Sequence, residues 1–418
     1  MNFKSPLLPI FLIIFVDVLG VTIILPLLPF YSQSLGASAF EVGALVSVYG
    51  LCQLIAGPVL GQISDRVGRK RVLLISQAGT LAGFALLAFA RSLWVVYLSR
   101  VIDGLTAGNI VVAQAYIADV TPAKNRARAF GVIGASFGVG FLAGPAISGM
   151  LAKFGMQAPI FAAVALSATS MVATALLLRG GRPNVHSLAP TRKLEFGFMQ
   201  LTSFMRDPNV APYLALFAAF CVAFVSYTAG FALFVERRLW WDGRPFGLAE
   251  VGYAFSYSGF LSLVIQLGLI GPLVNRFGET NLVKAGFISM AFGYALLSEA
   301  NSVALLAVAI TLHSCGSSIL RPTISSLISR NVEARFQGSA LGASQSILSL
   351  AQIAMPLAAG GLIEHGYLMA WAWLGAVVAA AGACAAMLKN PASISIRNRR
   401  ASERRESPPS APMGPGLP

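Results

Sequence analysis

Long apolar runs alternate with short polar turns along this chain of 418 residues. A helix that crosses a hydrocarbon core needs roughly 20 apolar residues. Such runs lie near 6–31, 41–63, 72–90, 93–117, 128–152, 159–178, 210–235, 248–274, 281–299, 302–329, 336–363 and 367–388, which predicts twelve spanning helices. The first run is too long for the apolar core of a signal peptide and lacks a small-residue cleavage site, so it is expected to be the first span. The polar stretches divide the chain into a six-span unit over 1–178, a central loop over 179–209, a second six-span unit over 210–390 and a tail over 391–418. The tail is rich in Ser, Pro and Arg, cannot bury a core and is expected to be disordered.

The two units are related. Between the second and third runs stands Gly61-Gln-Ile-Ser-Asp65-Arg66-Val-Gly68-Arg69-Lys70-Arg71, a densely charged turn. Gly271, Arg276 and Gly278 repeat Gly61, Arg66 and Gly68 at a distance of 210 residues, with Asn275 in place of Asp65 and Glu279 in place of Arg69. Duplicated halves mark secondary transporters among membrane chains. Gly68 suits a helix end with positive φ. Asp65, a carboxylate among cations, is expected to pair with Arg69 or with Arg126 and Arg128 in the next loop on that side.

Composition agrees with the membrane reading. Hydrophobic residues make up 56% of the chain and charged residues 11%, and the mean hydropathy is +0.74. A soluble domain carries roughly 25% charged residues. The net charge of +14 could suggest nucleic acid, but its distribution argues against that. Of the 30 Lys and Arg residues, 23 fall on the side that holds the Gly61–Arg71 turn and both termini, five on the other, and Arg100 and Arg321 within spans. Such an excess places both termini in the cytoplasm of a multi-pass inner-membrane protein. The four cysteines lie in apolar runs, with neither metal-site nor disulfide spacing. No nucleophile–base pair or phosphate-binding loop is recognisable. No enzyme activity, cofactor or metal is expected; the expected partners are lipid, protons and a small-molecule substrate, and the expected state is a monomer.

The Gly-x-x-x-Asp-Arg-x-Gly-Arg-Lys turn, echoed in the second half, resembles that of the major facilitator superfamily. The resemblance covers residues 6–390. It implies an all-α membrane protein with twelve helices in two pseudo-symmetric six-helix bundles around a central cavity, working by alternating access. It also implies a cytoplasmic latch, formed by Asp65 and Arg69 with Asp119 as third charged member, that holds the outward-open state. Any such latch is expected to rely mainly on the first copy. Gly134, Gly138, Gly140, Gly144-Pro145 and Gly149 mark the fifth run. The Gly-x-x-x-Gly-Pro-x-x-x-Gly form resembles the fifth-helix motif of drug:proton antiporters, and Pro356 and Gly360 repeat only its last part. Asp17-x-x-Gly20 with Pro26 and Pro29, Tyr97-Leu-Ser-Arg100 with Gly104, Ile117-Ala-Asp119, Gly134-Ala-Ser-Phe-Gly138, and Gln266 with Phe277-Gly278-Glu279 resemble the tetracycline-efflux branch and its multidrug relatives.

Ionisable groups inside spans are costly and are functional candidates by default. Asp17 lies near mid-depth of the first run on an otherwise apolar stripe, with Val21, Ile24 and Leu28. Desolvation favours a protonated carboxyl and a nearby cation an ionised one, so such a group can exchange a proton as its surroundings change. Arg100 and Asp103 share a helix face, continued by Ala107, Ile110 and Gln114. They can form an internal ion pair, or Arg100 can hold Asp17 ionised in one state and release it in the other. Arg321 has no evident acid partner in the second half, and His313 reads as a satisfied buried polar residue. Phe220, Phe224, Tyr227, Phe231 and Phe234 follow a 4-3-4-3 spacing, which serves either packing or a cavity wall for flat drugs. Gln114, Phe224, Tyr227, Phe231, Gln266 and Arg321 are the candidate cavity residues.

The tetracycline pumps carry acids in the third and ninth helices, where this chain has Gly83 and Met290, and a histidine in the eighth, where it has Ser262. The resemblance therefore implies a substrate other than tetracycline. The expected function is proton-coupled export of amphipathic small molecules, with Asp17, Arg100 and Asp103 in proton coupling. An uptake symporter for a sugar or other metabolite is the alternative within the fold, and a non-transporting receptor or scaffold the alternative outside it.

Overall fold

In a computed structural model, eleven helices are long and apolar enough to cross a membrane, and a shorter apolar helix covers Gly138–Phe154. The structure describes residues 7–120, 126–178, 197–332 and 337–388. The predicted tail and most of the central loop lie outside them.

The first half contains α1 (Leu7–Ser34), α2 (Ala39–Val67), α3 (Arg69–Ala88), α4 (Leu93–Leu105), α5 (Asn109–Val120), α6 (Arg126–Leu151) and α7 (Ala158–Leu177). A short helix, α8 (Gly197–Arg206), stands inside the stretch expected to be loop. The second half contains α9 (Ala211–Arg238), α10 (Leu248–Val264), α11 (Ile270–Phe277), α12 (Glu279–Ser298), α13 (Val303–Arg330), α14 (Gln337–Glu364) and α15 (Leu368–Leu388). Short connections make successive spans antiparallel. One membrane face, the basic face, holds the α2–α3 and α11–α12 turns. The opposite face holds the α1–α2 and α9–α10 turns.

Three local departures have physical causes. The fourth predicted span is two helices, broken at Thr106–Gly108. The Ser76 hydroxyl of α3 donates to the Thr106 carbonyl and accepts the Gly108 N–H, so α3 satisfies the backbone that the break frees. The eighth span passes through a π-helical turn, Ile265–Leu269, between α10 and α11. The all-α expectation has one exception: β1 (Trp240–Trp241) pairs antiparallel with β2 (Arg244–Pro245). The turn between them has Asp242 at φ 48° and Gly243 at φ 75°, both in the region that a tight Asp-Gly hairpin requires.

Helix ends follow the sequence cues. Ser38 and Glu41 cap α2 reciprocally: the Ser38 hydroxyl accepts the Glu41 N–H and the Glu41 carboxylate accepts the Ser38 N–H. Gly68 ends α2 at φ 105°, and its repeat partner Gly278 ends α11 at φ 76°.

The halves meet along two seams. In one, α6 lies on α10. A Cβ on Gly252 would stand 2.6 Å from the Pro145 carbonyl oxygen, and one on Gly259 would stand 2.5 Å from that of Phe141. Proline at 145 removes the N–H that would bond the Phe141 carbonyl, so this oxygen is free to face the neighbouring Cα. In the other seam α2 lies on α14. Gly43 faces the Pro356 carbonyl and Gly50 faces Gln352, the residue whose carbonyl Pro356 leaves free. The two seams are copies: Gly43 and Gly252, Gly50 and Gly259, and Pro145 and Pro356 stand 209 to 211 positions apart.

Both seams close the opposite-face half of the interface. Gly360 meets the Ala39 backbone and Gly149 meets Ala249, near the opposite-face ends of their helices. The Glu364 carboxylate of α14 accepts the Phe40 N–H of α2 at 2.7 Å. Toward the basic face these glycine contacts cease among the described residues. A methyl group on Gly268, Gly271 or Gly342 would meet nothing within 4 Å.

The seams generate a prediction. In a chain with its four native cysteines replaced, Gly252→Val should hold the opposite face ajar. Labelling of Phe141→Cys by a membrane-impermeant maleimide is then expected to rise several-fold. Unchanged labelling would mean that the α6–α10 seam does not need a glycine there.

Candidate transport site

The ionisable groups of the first half fall into two clusters with different environments. The exposed cluster is on the basic face. The Asp65 carboxylate lies 2.5 Å from the Arg69 guanidinium, and the Asp119 carboxylate of α5 lies 2.9 Å from it. Arg69 also donates to the Ser64 hydroxyl at 2.6 Å, and Lys70 to the Ala175 carbonyl at 2.7 Å. Gly61 lets Val111 of α5 approach, and Arg66 is exposed. Arg69 thus takes the partner role expected of Asp65's neighbour, while the side chains of Arg126 and Arg128 lie outside the described residues. These contacts join α2, α3, α5 and α7, all of one half. In this conformation the cluster braces a bundle; the outward-open clamp that the resemblance implied would need a contact to the second half.

The second copy carries an ion pair of its own beside the two of the first. The Glu279 carboxylate lies 3.0 Å from the Arg330 guanidinium and accepts the Ser326 hydroxyl at 2.6 Å. Glu279 and Arg330 stand where Arg69 and Asp119 stand in the first half, with the charges exchanged. Departure from the pattern at position 279 is a swapped ion pair, and the signal for it was Arg330, 211 residues after Asp119.

The second cluster is internal. Arg100 and Asp103 are 6% and 3% exposed and lie 3.4 Å apart, one turn along α4. The guanidinium lies 5.8 Å from the Phe84 ring centroid and donates to the Ser99 hydroxyl. One of its terminal nitrogens has no partner among the described residues. A Cβ on Gly83 of α3 would stand 3.0 Å from that of Asp103, so the small residue makes room for the pair. Of the two arrangements expected for Arg100, the internal pair with Asp103 is the one present in this conformation, buried beside Phe84 of α3. The break after α4 also interrupts the stripe expected to run on to Ile110 and Gln114.

Asp17 is half-buried on α1. Its hydrogen-bonding neighbours are neutral and come from two other helices, and the buried Asp103 of α4 lies within electrostatic reach. The Gln77 side-chain amide of α3 is 3.5 Å from the carboxylate and donates to the Ser170 hydroxyl of α7 at 2.8 Å. The Ser170 hydroxyl lies 3.3 Å from the Ile13 carbonyl of α1. Sequence reading missed Gln77 and Ser170, which are 60 and 153 residues away along the chain.

The fifth-span motif serves two surfaces. Gly140 and Gly144 let α1 approach: Val18 packs on Gly140, and Thr22 packs on Gly144 while its hydroxyl donates to the Gly140 carbonyl at 2.9 Å. Pro145 and Gly149 face α10 in the seam described above. Helix α6 thus packs against the Asp17 helix and also forms one of the two seams that close the opposite face.

The aromatic stripe of α9 is core rather than cavity wall. Phe231 is fully buried, Tyr227 nearly so, and Phe224 partly so. Tyr227 stacks on His313 of α13 at 3.7 Å between centroids and meets Phe255 and Tyr294 edge-on. The spacing gave one aromatic face, but α10, α12 and α13 cover it. His313 is buried with neither ring nitrogen partnered among the described residues, so it is not the satisfied polar residue expected. Among the candidate cavity residues, Gln114, Gln266 and Arg321 are exposed. No cluster of metal-binding side chains occurs among the described residues.

The model of one family, described as Major Facilitator Superfamily, matches residues 10–268 and 243–413. The chain is 32% identical to the tetracycline resistance protein, class C, of Escherichia coli over 82% of this chain and 85% of that protein. It is 28% identical to multidrug resistance protein 2 of Bacillus subtilis (strain 168) over 84% and 86%. Its fold resembles the crystal structure of the human organic anion transporter MFSD10 (TETRAN), with a TM-score of 0.68 and 21% identity over 91% and 98% of the two chains.

The enclosed pair carries a prediction. Arg100→Gln leaves a buried carboxylate without its cation, which should cost about 3 kcal/mol or more. The double change Arg100→Leu with Asp103→Leu should recover most of that loss. Thermal unfolding of the purified protein checks both. Equal losses in the single and double variants would show that the two groups are not coupled.

Proposed function

The chain belongs to the Major Facilitator Superfamily, and from that premise we propose that it is a proton-driven exporter of amphipathic small molecules or drugs. It works by alternating access in the inner membrane, with the basic face and both termini in the cytoplasm. The two-bundle division, 1–178 and 210–390 around the central loop, is part of the same reading.

The observation that carries the proposal is Asp17. It is a carboxyl near mid-membrane whose hydrogen-bonding neighbours, Gln77 and Ser170, are neutral. With no fixed cation to hold it ionised, it can take or release a proton according to solvent access and the presence of substrate. Ionised, it offers charge and acceptor atoms to a substrate; protonated, it withdraws most of that attraction. Proton and substrate then compete for one group, which is the minimum requirement of an antiporter. The expected release of Asp17 from Arg100 is replaced by this competition, since Arg100 is committed to Asp103.

The seams close the opposite face in this conformation, so access to Asp17 in this state would be from the basic face. Turnover then requires the seams to part and the basic-face ends to close. The charge clusters at Asp65–Arg69–Asp119 and Glu279–Arg330 would keep each bundle rigid while it rocks. One proton moving through 100 mV supplies about 2.3 kcal/mol, roughly a 50-fold gradient.

Kinship to tetracycline and multidrug resistance proteins supports export of drugs, and this chain's own residues argue for a substrate other than tetracycline. Gly83 is filled by Asp103, Met290 is fully buried against Gly316, and Ser262 is bonded to Ser318 at 2.6 Å. These are the positions at which the resemblance implied the pumps' additional acids and histidine.

Inverted vesicles, energised and loaded with a pH-sensitive dye, test the reading. Addition of a cationic dye such as ethidium to wild-type vesicles should release protons, and Asp17→Asn should abolish the response. Retention of the wild-type rate in Asp17→Asn would remove Asp17 from proton coupling. Acidification driven by a sugar or metabolite gradient, with silence toward drugs, would move the protein to the symporter reading.

A further inference from the structure

Arg321 is the internal cation for which the contacts above give no use. It is exposed on α13, as is Pro322 beside it, while Ser317, Ser318, Leu320, Thr323 and Ile324 are buried. Two turns of hydroxyl pairs lead to it along the α10–α13 contact: Ser258 with Ser314 at 2.5 Å, then Ser262 with Ser318 at 2.6 Å. Arg321 follows Ser318 by three residues and Ser314 by seven, so it shares the face that turns toward α10. It is also within electrostatic reach of the buried Cys221 on α9. These two neighbours place the guanidinium on the side of α13 that α9 and α10 flank, away from α12.

Depth places it opposite Asp17. At about 1.5 Å per residue, Asp17 lies roughly 15 Å from the basic-face start of α1, and Arg321 lies roughly 14 Å from the basic-face end of α13. One half thus brings an unpaired carboxylate and the other an unpaired guanidinium to the same level. Arg321 makes no ion pair or hydrogen bond with a described residue, whereas Arg69, Arg100, Arg244 and Arg330 each have a carboxylate. Among the described residues of the second half the acids stand near helix ends, Glu236, Glu250, Glu279, Glu299 and Glu364, or in the hairpin turn, Asp242. Arginine cannot shed its charge by deprotonation, so an unpaired guanidinium at this depth can be satisfied only from outside the described chain. Its planar fork matches a carboxylate or another planar or tetrahedral oxyanion.

We propose that Arg321 recognises an anionic group of the substrate, and that the transported class includes amphipathic anions and zwitterions beside cations. A zwitterion would set its anionic end on Arg321 and its amine on Asp17, bridging the halves. The substrate would supply the counter-ion that the second half lacks. This rests on the export reading for its meaning, but it can be tested without transport.

The test is equilibrium dialysis of purified protein in lipid nanodiscs against nalidixic acid, a flat aromatic carboxylate, and its methyl ester. The wild type is expected to bind the acid at least tenfold more tightly than the ester. Arg321→Gln should erase that difference while leaving ester binding unchanged, and Arg321→Lys should keep part of it. Should Arg321→Gln fail to fold, the wild-type ratio together with Arg321→Lys decides. Equal binding of acid and ester, equal weakening of both in the variant, or no binding of either would overturn the proposal. Failure of the ethidium-driven proton release alone would count against export and leave the acid-over-ester preference standing.

Discussion

Everything that moves in this molecule depends on how two rigid halves touch. They touch backbone to backbone, at glycines that face the prolines of α6 and α14 and the residues whose carbonyls those prolines leave free. Gly252 and Gly259 face Pro145 and Phe141; Gly43 and Gly50 face Pro356 and Gln352. Such contact is close but made of many weak interactions, without a buried ion pair to break. In hydrocarbon, where apolar side chains gain little by leaving lipid, small residues and close packing are what hold helices together. A seam of this kind can seal one face and still part when the balance shifts by a few kcal/mol.

The charges are arranged to respect that constraint. Arg69 with Asp65 and Asp119, Glu279 with Arg330, and Arg100 with Asp103 are each paired inside one half. Breaking them is not required for the halves to rock. Asp17 and Arg321 are left over within the spans, one per half and at one depth, without an ion pair among the described residues. They are the groups whose electrostatic energy depends on what occupies the space between the bundles. Coupling of proton, substrate and conformation follows from that division between internally paired and unpaired charge. Thr22 on Gly144 and Val18 on Gly140 join the helix of Asp17 to the helix of Pro145, a direct mechanical path from the carboxyl to a seam.

Much of this was legible in the sequence. Spans were legible because charges are scarce, and the repeat because Gly61, Arg66 and Gly68 recur as Gly271, Arg276 and Gly278. The Arg100–Asp103 pair followed from three-residue spacing on one helix. What the sequence hid is what depends on neighbouring helices. Periodicity gave α9 an aromatic face but could not say that α10, α12 and α13 cover it. Gln77 and Ser170 come to Asp17 from distant segments, and nothing local marks them. The fourth-span break and the hairpin did have local signals, in Thr106-Ala-Gly-Asn109 and Asp242-Gly243. An apolar window long enough to span masked the first, and the short polar loop hid the second.

The central claim is that closure of one face and opening of the other are a single motion governed by Asp17. Pulsed electron resonance distances between spin labels test it most directly. One pair, at Val67 and Phe277, reports the basic face; the other, at Phe154 and Tyr367, reports the opposite face, and all four positions are exposed. On passing from pH 8 to pH 5 in nanodiscs the two distances should change in opposite senses, and Asp17→Asn should hold both at the low-pH values. Distances that move together, or that respond to pH unchanged in Asp17→Asn, would contradict the account.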